Sequence, residues 1–202
     1  MTLKLITEKL ARDNKKFITS EEIKDYCKKL SLGYLQTIKY LIRNKYLARI
    51  FKGIFYVYSL EERKLGKSDM NHFQILKEAL KIKGVKNWYF GLETGLKFNN
   101  LTHEYFTIEY IINDKIFRAK PISILGYKIK FYKIIPRLLS FGIIKKNVNY
   151  SDPEKTLLDL FYLKHYTKEE FEEIAETLSK KKLIEYSKRY NKRVINLVKQ
   201  FK

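Results

Sequence analysis

Cysteine is nearly missing from this chain. Cys27 is the single one in 202 residues, which excludes an internal disulfide and any zinc site built from several thiolates. Its place on the expected inward side of a helix suits a small buried hydrophobe in a reducing cytoplasm. No run of about 18 apolar residues occurs, so no membrane span is expected. The first residues carry charges every few positions and lack the apolar stretch of a signal peptide, which gives the expectation of a soluble, cytoplasmic protein. His72, His103 and His165 lie far apart without ligand-like spacing, so no metal is expected. No Gly-rich phosphate loop and no nucleophile-elbow glycine pattern is present, and no cofactor is expected. Internal repeats and low-complexity segments are also missing.

Acid is in deficit. Against 42 Lys and Arg stand 22 Asp and Glu, a formal charge of +20. Such an excess attracts polyanions, and DNA is the obvious one because neutralised phosphates release counterions. A Lys-rich composition also arises from AT-rich coding or growth at high temperature, so the bulk charge decides little alone. Hydrophobic content of 45% is enough for a real core.

What is present is most informative at residues 17–58. Before them, Leu3, Ile6 and Leu10 repeat at helical spacing and predict a short helix ending near Asn14. Thr19 and Glu22 form a capping-box pattern, with Ile23, Tyr26, Cys27 and Leu30 as the apolar stripe of the next helix. Ser31-Leu32-Gly33 breaks the chain. A third helix follows, for which Leu35, Ile38, Leu41 and Ile42 are read as the inward side. Two β-rich runs, 47–51 and 54–58, flank Lys52-Gly53 and predict a hairpin. Helix, turn, helix and hairpin in this order are expected to form a winged helix-turn-helix, whose second helix enters the DNA major groove.

The fold class expected is α+β: an N-terminal winged helix-turn-helix over residues 1–60, a polar linker at 61–69, and a mixed α/β C-terminal domain at 70–202 ending in helices. That second part opens with an amphipathic helix, MNHFQILKEALKIKG, with Phe73, Leu76, Leu80 and Ile82 inward and Gly84 as its stop. NWYFGLETGLKFNNL reads as a short strand feeding a helix. YFTIEYII, KIFRA, KIKFYKII and GIIKKNV are expected as strands. A helix restarts at Ser151-Asp152-Pro153-Glu154, either with Asp152 as cap and Pro153 first, or through a Ser151–Glu154 capping box. The tail from Thr167 is helical, with a break near Tyr190-Asn191.

On the third helix, the arc opposite Leu35 holds Gly33, Gln36, Thr37, Tyr40, Arg43 and Asn44 when each residue advances about 100°. Gln36 can pair with adenine, Thr37 can meet a thymine methyl or a phosphate, and Tyr40 can donate to a phosphate. Lys39 and Arg43 flank the arc and suit the DNA backbone. In the hairpin, Arg49 and Lys52 are placed to reach an adjacent minor groove or its phosphates. Basic clusters in the tail (Lys180–Lys182, Lys188-Arg189, Lys192-Arg193) either are solvated or extend the footprint, and the high net charge favours the second.

Three stretches resemble one known family. RNKYLARIFKGIFYV is similar to its helix end and wing, WYFGLETGLKFNNL to the opening of its second domain, and SDPEKTLLDLFYL to its Asp-Pro-Glu-basic-Thr-Leu-Leu-Asp helix start. The family is that of AbiEi-type antitoxins, transcriptional regulators of type IV toxin–antitoxin and abortive-infection systems active in antiviral defence. In the middle stretch Gly95 stands where the family more often has alanine. The resemblance implies a repressor that binds inverted repeats in its own promoter and counters a nucleotidyltransferase-like toxin, without a stable complex between the two. It implies that the second domain neutralises the toxin and contributes to DNA binding.

Asp152, Glu154 and Asp159 are the one tempting catalytic cluster. In a helix's first turn, acidic groups offset the macrodipole and satisfy free amides, so a structural cap is the preferred reading and no catalytic residue is assigned. The alternative is a nucleic-acid-processing enzyme, a nuclease or nucleotidyltransferase, targeted by the winged helix. In that case carboxylates of residues 70–202 would have to converge on a metal.

Overall fold

The computed structural model describes residues 2–201 and is α+β, with ten α-helices and two sheets among them. The described residues divide into two compact units, 2–84 and 85–201.

In the first unit, α1 (Thr2–Asp13) leads to β1 (Phe17–Thr19), α2 (Ser20–Lys29), α3 (Tyr34–Arg43), β2 (Leu47–Phe51) and β3 (Ile54–Val57). Thr19 caps α2 as its sequence predicts, the hydroxyl accepting from the Glu22 N–H while the Glu22 carboxylate accepts from the Thr19 N–H. The α2–α3 turn places Ser31 at φ +54° and sends the Leu32 N–H to the Cys27 carbonyl at 2.8 Å. β2 and β3 form an antiparallel hairpin closed by Lys52-Gly53, with Gly53 at φ +82°, and β1 adds to the far side of β3. Ile6, Leu10, Ile18, Ile23, Cys27, Ile38, Leu41, Leu47, Phe55 and Val57 make one core under these elements. Cys27 is the small buried hydrophobe expected.

Two boundaries differ from the sequence expectation. Residues 61–69 fall largely in a helix, α4 (Leu60–Leu65), started by a Ser59–Glu62 capping box and stopped by Gly66 in the left-handed conformation. Polarity suggested a linker there because the helix is short and its one buried group, Glu62, is charged. The next helix, α5 (His72–Ile82), packs on β2 and β3 and belongs with the first unit, so the compact unit runs to Gly84 rather than ending at 60. Leu76 and Leu80 of α5 are buried, but Ile82 faces solvent.

In the second unit, β4 (Trp88–Phe90), α6 (Leu92–Phe98), β5 (Ile108–Asn113), β6 (Ile122–Ile124), β7 (Tyr127–Lys133), β8 (Ile143–Lys145) and β9 (Asn149–Ser151) precede four helices. These are α7 (Pro153–Tyr162), α8 (Lys168–Ala175), α9 (Lys180–Ser187) and α10 (Lys192–Gln200). The six strands run in the order β6-β7-β5-β4-β9-β8, parallel at β5/β7 and β4/β9 and antiparallel elsewhere. KIFRA carries no strand; the strand beside β7 comes from Ile122–Ile124. The β-branched Ile122 and Ile124 follow Pro121 there and pair with Ile129 and Tyr127. Tyr89, Leu92, Ile112, Leu157, Leu160, Phe171 and Leu197 belong to the core between sheet and helices.

Of the two readings at residue 151, the structure takes the first: Asp152 caps α7, accepting from the Lys155 N–H, with Pro153 in the first turn. No described helix is long and apolar enough to cross a membrane.

Candidate nucleic-acid interface

Helix α3 has Gly33 as its N-cap, with no side chain there to occupy the first turn. The Gln36 side chain folds back over that bare backbone, its Oε1 lying only 2.0 Å from where a Cβ on residue 33 would be. Tyr34, in the first turn, donates its hydroxyl to Ser20 Oγ at 2.9 Å. The Ser20 N–H in turn donates to the Gly53 carbonyl at 2.9 Å. The start of α3, the start of α2 and the tip of the hairpin are thus tied together by two hydrogen bonds. Neither Tyr34 nor Ser20 stands out in the sequence, where one is an aromatic among many and the other a routine helix-start serine.

The solvent side of α3 presents Leu35, Gln36, Lys39 and Arg43, all exposed. Tyr40 is half-buried and stacks on Tyr46, ring centroids 6.2 Å apart. In the hairpin, Arg49 is exposed with its guanidinium 5.7 Å from the Phe55 ring, and Lys52 is exposed at the turn. Six of the seven expected residues (Gln36, Lys39, Tyr40, Arg43, Arg49 and Lys52) therefore have at least part of their surface available within one unit.

Thr37 does not. It is 1% exposed, and its hydroxyl donates to the Gly33 carbonyl at 2.9 Å. The sequence pattern centres the inward side on Leu35, yet Leu35 is 71% exposed and Tyr34, Thr37, Ile38 and Leu41 face inward or partly so. The real axis is rotated by roughly 60° about the helix. Threonine tolerates the inward place because its one donor is satisfied by the preceding turn, which removes most of the cost of burying a hydroxyl.

Elsewhere the basic residues divide into working groups. Residues 115–151 hold Lys or Arg at nine positions and no acidic residue, and Lys128, Lys133, Lys145 and Lys146 are exposed there. In the tail, several cations are used in packing. Arg193 donates to the Phe161 and Tyr162 carbonyls and lies over the Phe161 ring, Arg189 lies over Phe141, and Lys182 pairs with Asp152 and Glu154.

The three carboxylates weighed as catalytic do not converge on a common point open to solvent. Asp152 accepts from the Lys155 N–H at 2.9 Å and the Tyr186 hydroxyl at 3.0 Å. Glu154 accepts from the Ser179 N–H and Lys182 Nζ, both at 3.3 Å. Asp159 is fully buried and receives the hydroxyls of Tyr89 at 2.6 Å and Tyr190 at 2.7 Å, beside Lys155 Nζ at 3.3 Å. Lys155 is itself fully buried, its ammonium 4.5 Å from the Phe141 ring centre and 4.9 Å from that of Tyr89. Burial lowers the Lys155 pKa and the Asp159 charge opposes that shift, while burial and Asp159 together push Tyr89 and Tyr190 well up. Among the described residues no group of three or more His, Cys, Asp or Glu is arranged to hold a metal ion.

A polar chain that the sequence did not reveal links His165 to Glu93 (2.8 Å at Nδ1) and to the Tyr132 hydroxyl (2.8 Å at Nε2). It fastens the residues after α7 to α6 and β7.

No protein-family model matches the chain, and no curated protein matches it in sequence. In three dimensions it is similar to the crystal structure of the RV2827C protein from Mycobacterium tuberculosis, with a TM-score of 0.61 at 11% identity. The likeness covers 97% of this chain and 74% of that one, and at this identity it is a likeness of fold.

Proposed function

We propose that this chain is a sequence-specific, non-enzymatic DNA-binding repressor whose first unit is a winged helix-turn-helix. α3 is its recognition helix and the β2–β3 hairpin its wing. The observation that carries this reading is the outward side of α3, where Gln36, Lys39 and Arg43 are exposed beside a hairpin bearing Arg49 and Lys52. Gln36 offers both an acceptor and a donor to adenine, and the cations suit phosphates. The two hydrogen bonds through Ser20 hold helix and hairpin tip in one register, which a two-point grip on a duplex needs. The resemblance of SDPEKTLLDLFYL and two further stretches to AbiEi-type antitoxins supports the additional role. The protein represses its own operon from promoter inverted repeats and counters a nucleotidyltransferase-like toxin without binding it stably.

The test is binding to a fragment of its own promoter across a salt series, with an unrelated duplex of equal length beside it. Affinity for the promoter falls steeply with salt, and Arg43→Ala and Lys52→Ala each reduce the log–log slope by about one. Equal affinity for both duplexes at every salt concentration overturns the repressor reading and leaves a generic basic protein.

A further inference from the structure

Leu35 is the apolar exception on a polar, cationic helix face. Its side chain is 71% exposed, at one edge of the arc that carries exposed Lys39, Arg43 and Gln36. A lone surface leucine is ordinary in itself. This one sits in the first turn of the helix, where helix-turn-helix proteins bring side chains to base edges. The turn begins at Gly33, whose missing side chain leaves the room that the Gln36 amide takes over the helix start. Leu35 and Gln36 are neighbours separated by about 100° around the axis and 1.5 Å along it, so the pair presents a methyl-bearing tip next to an amide. In the major groove the one apolar group that distinguishes a base pair is the thymine C5-methyl.

We infer that Leu35 is a specificity-determining residue that reads a thymine methyl in the operator. The inference rests on the repressor reading above and goes beyond it by naming a base and the chemical group contacted. Burying one methyl against an isobutyl group that is otherwise wet is favourable, and a pyrimidine lacking that methyl forfeits the gain.

The experiment enriches duplexes from a randomised library with the intact chain. The enriched duplex is then resynthesised with uracil replacing thymine one position at a time. At one position per bound site, uracil weakens the unmodified protein about fourfold. Leu35→Ala loses that sensitivity while melting at the same temperature, since the removed atoms are in solvent. Lys39→Ala weakens every duplex yet keeps the uracil effect. If a duplex is enriched but no uracil effect depends on Leu35, the inference is overturned and the repressor reading stands. If Leu35→Ala alters only the oligomeric state, the side chain serves a self-contact and the inference again fails. If no duplex is enriched, both claims fall.

Discussion

Replacing Glu62 by glutamine tests how α4 is fastened under the hairpin. The Glu62 carboxylate is fully buried and accepts from the Ser59 N–H at 2.6 Å and the Asp69 N–H at 2.8 Å. It also accepts from the Tyr56 hydroxyl and pairs with Lys16 Nζ at 3.1 Å. Burial pushes its pKa up, but these donors outweigh burial and hold it down to about 2, from the ordinary 4.5. A lowered carboxylate pKa means stability that is complete above the unfolded value and is lost as pH falls toward the folded one. The window is therefore pH 4.5 down to 2, and the contribution is about 3 kcal/mol. Glutamine has one oxygen where the site needs two. Its NH₂ must face either the Asp69 N–H or the Ser59 N–H, leaving two donors opposed, which costs about 2–4 kcal/mol at neutral pH. The assay is urea unfolding of both proteins from pH 7 to pH 2. Glu62→Gln is weaker at pH 7, and the gap closes in acid because the unmodified protein loses this contribution there. A constant gap across that range refutes the assignment of the carboxylate's charge as the fastening element.

Three further outcomes are expected. Gly95→Ala destabilises by about 1–3 kcal/mol in thermal or urea melts. Its Cβ would lie 2.7 Å from Thr156 Oγ1 and 2.9 Å from Ser151 Oγ; a neutral melt shows that α6 and α7 can separate freely. Lys155→Met leaves the Asp159 carboxylate buried beside two tyrosine hydroxyls and costs about 3–5 kcal/mol, part of which Asp159→Asn in the same chain recovers. A double variant no better than the sum of the singles contradicts the pairing. Thr37→Val removes the hydroxyl bonded to Gly33 and costs about 1 kcal/mol of stability, with DNA affinity unchanged at temperatures where the fold is intact. A loss of affinity without a loss of stability would return Thr37 to the DNA-facing side.

Local signals were legible wherever one short-range rule decides the outcome. The Thr19–Glu22 capping box, Gly53 at the hairpin tip, Gly84 after α5 and the Asp152-Pro153 helix start all act over three or four residues, and each sits where expected. The rotation of α3 was not legible, because Leu35 and Thr37 exchange the roles their polarity suggests. Only the neighbouring elements determine which side of an amphipathic helix is covered. Residues 61–69 look like a linker for a related reason: one partner that fastens the buried Glu62 carboxylate, Lys16, comes from a distant loop that no local window reaches. The KIFRA segment carries the strand-favouring residues Ile116 and Phe117, but backbone pairing is a property of the neighbouring chain as well.

The most recognisable stretch, SDPEKTLLDLFYL, is a folding device throughout. Asp152 caps α7, Glu154 receives the N–H of Ser179 at the start of α9, and Lys155 neutralises Asp159 inside an aromatic enclosure. Thr156 lies within 3.4 Å of Asn99, whose amide also donates to the Ser151 carbonyl, so α6 and β9 are stitched to the same turn. The side chains of Ser151, Asp152, Glu154, Lys155, Thr156 and Asp159 are thereby spent on holding the second unit together. A likeness carried by these residues is evidence for a shared architecture. The proposed reading of a duplex rests instead on α3, where Gln36, Lys39 and Arg43 are left in solvent beside an exposed Leu35. A lone exposed leucine is ordinary on a protein surface, so the uracil series is what decides whether Leu35 meets a thymine methyl.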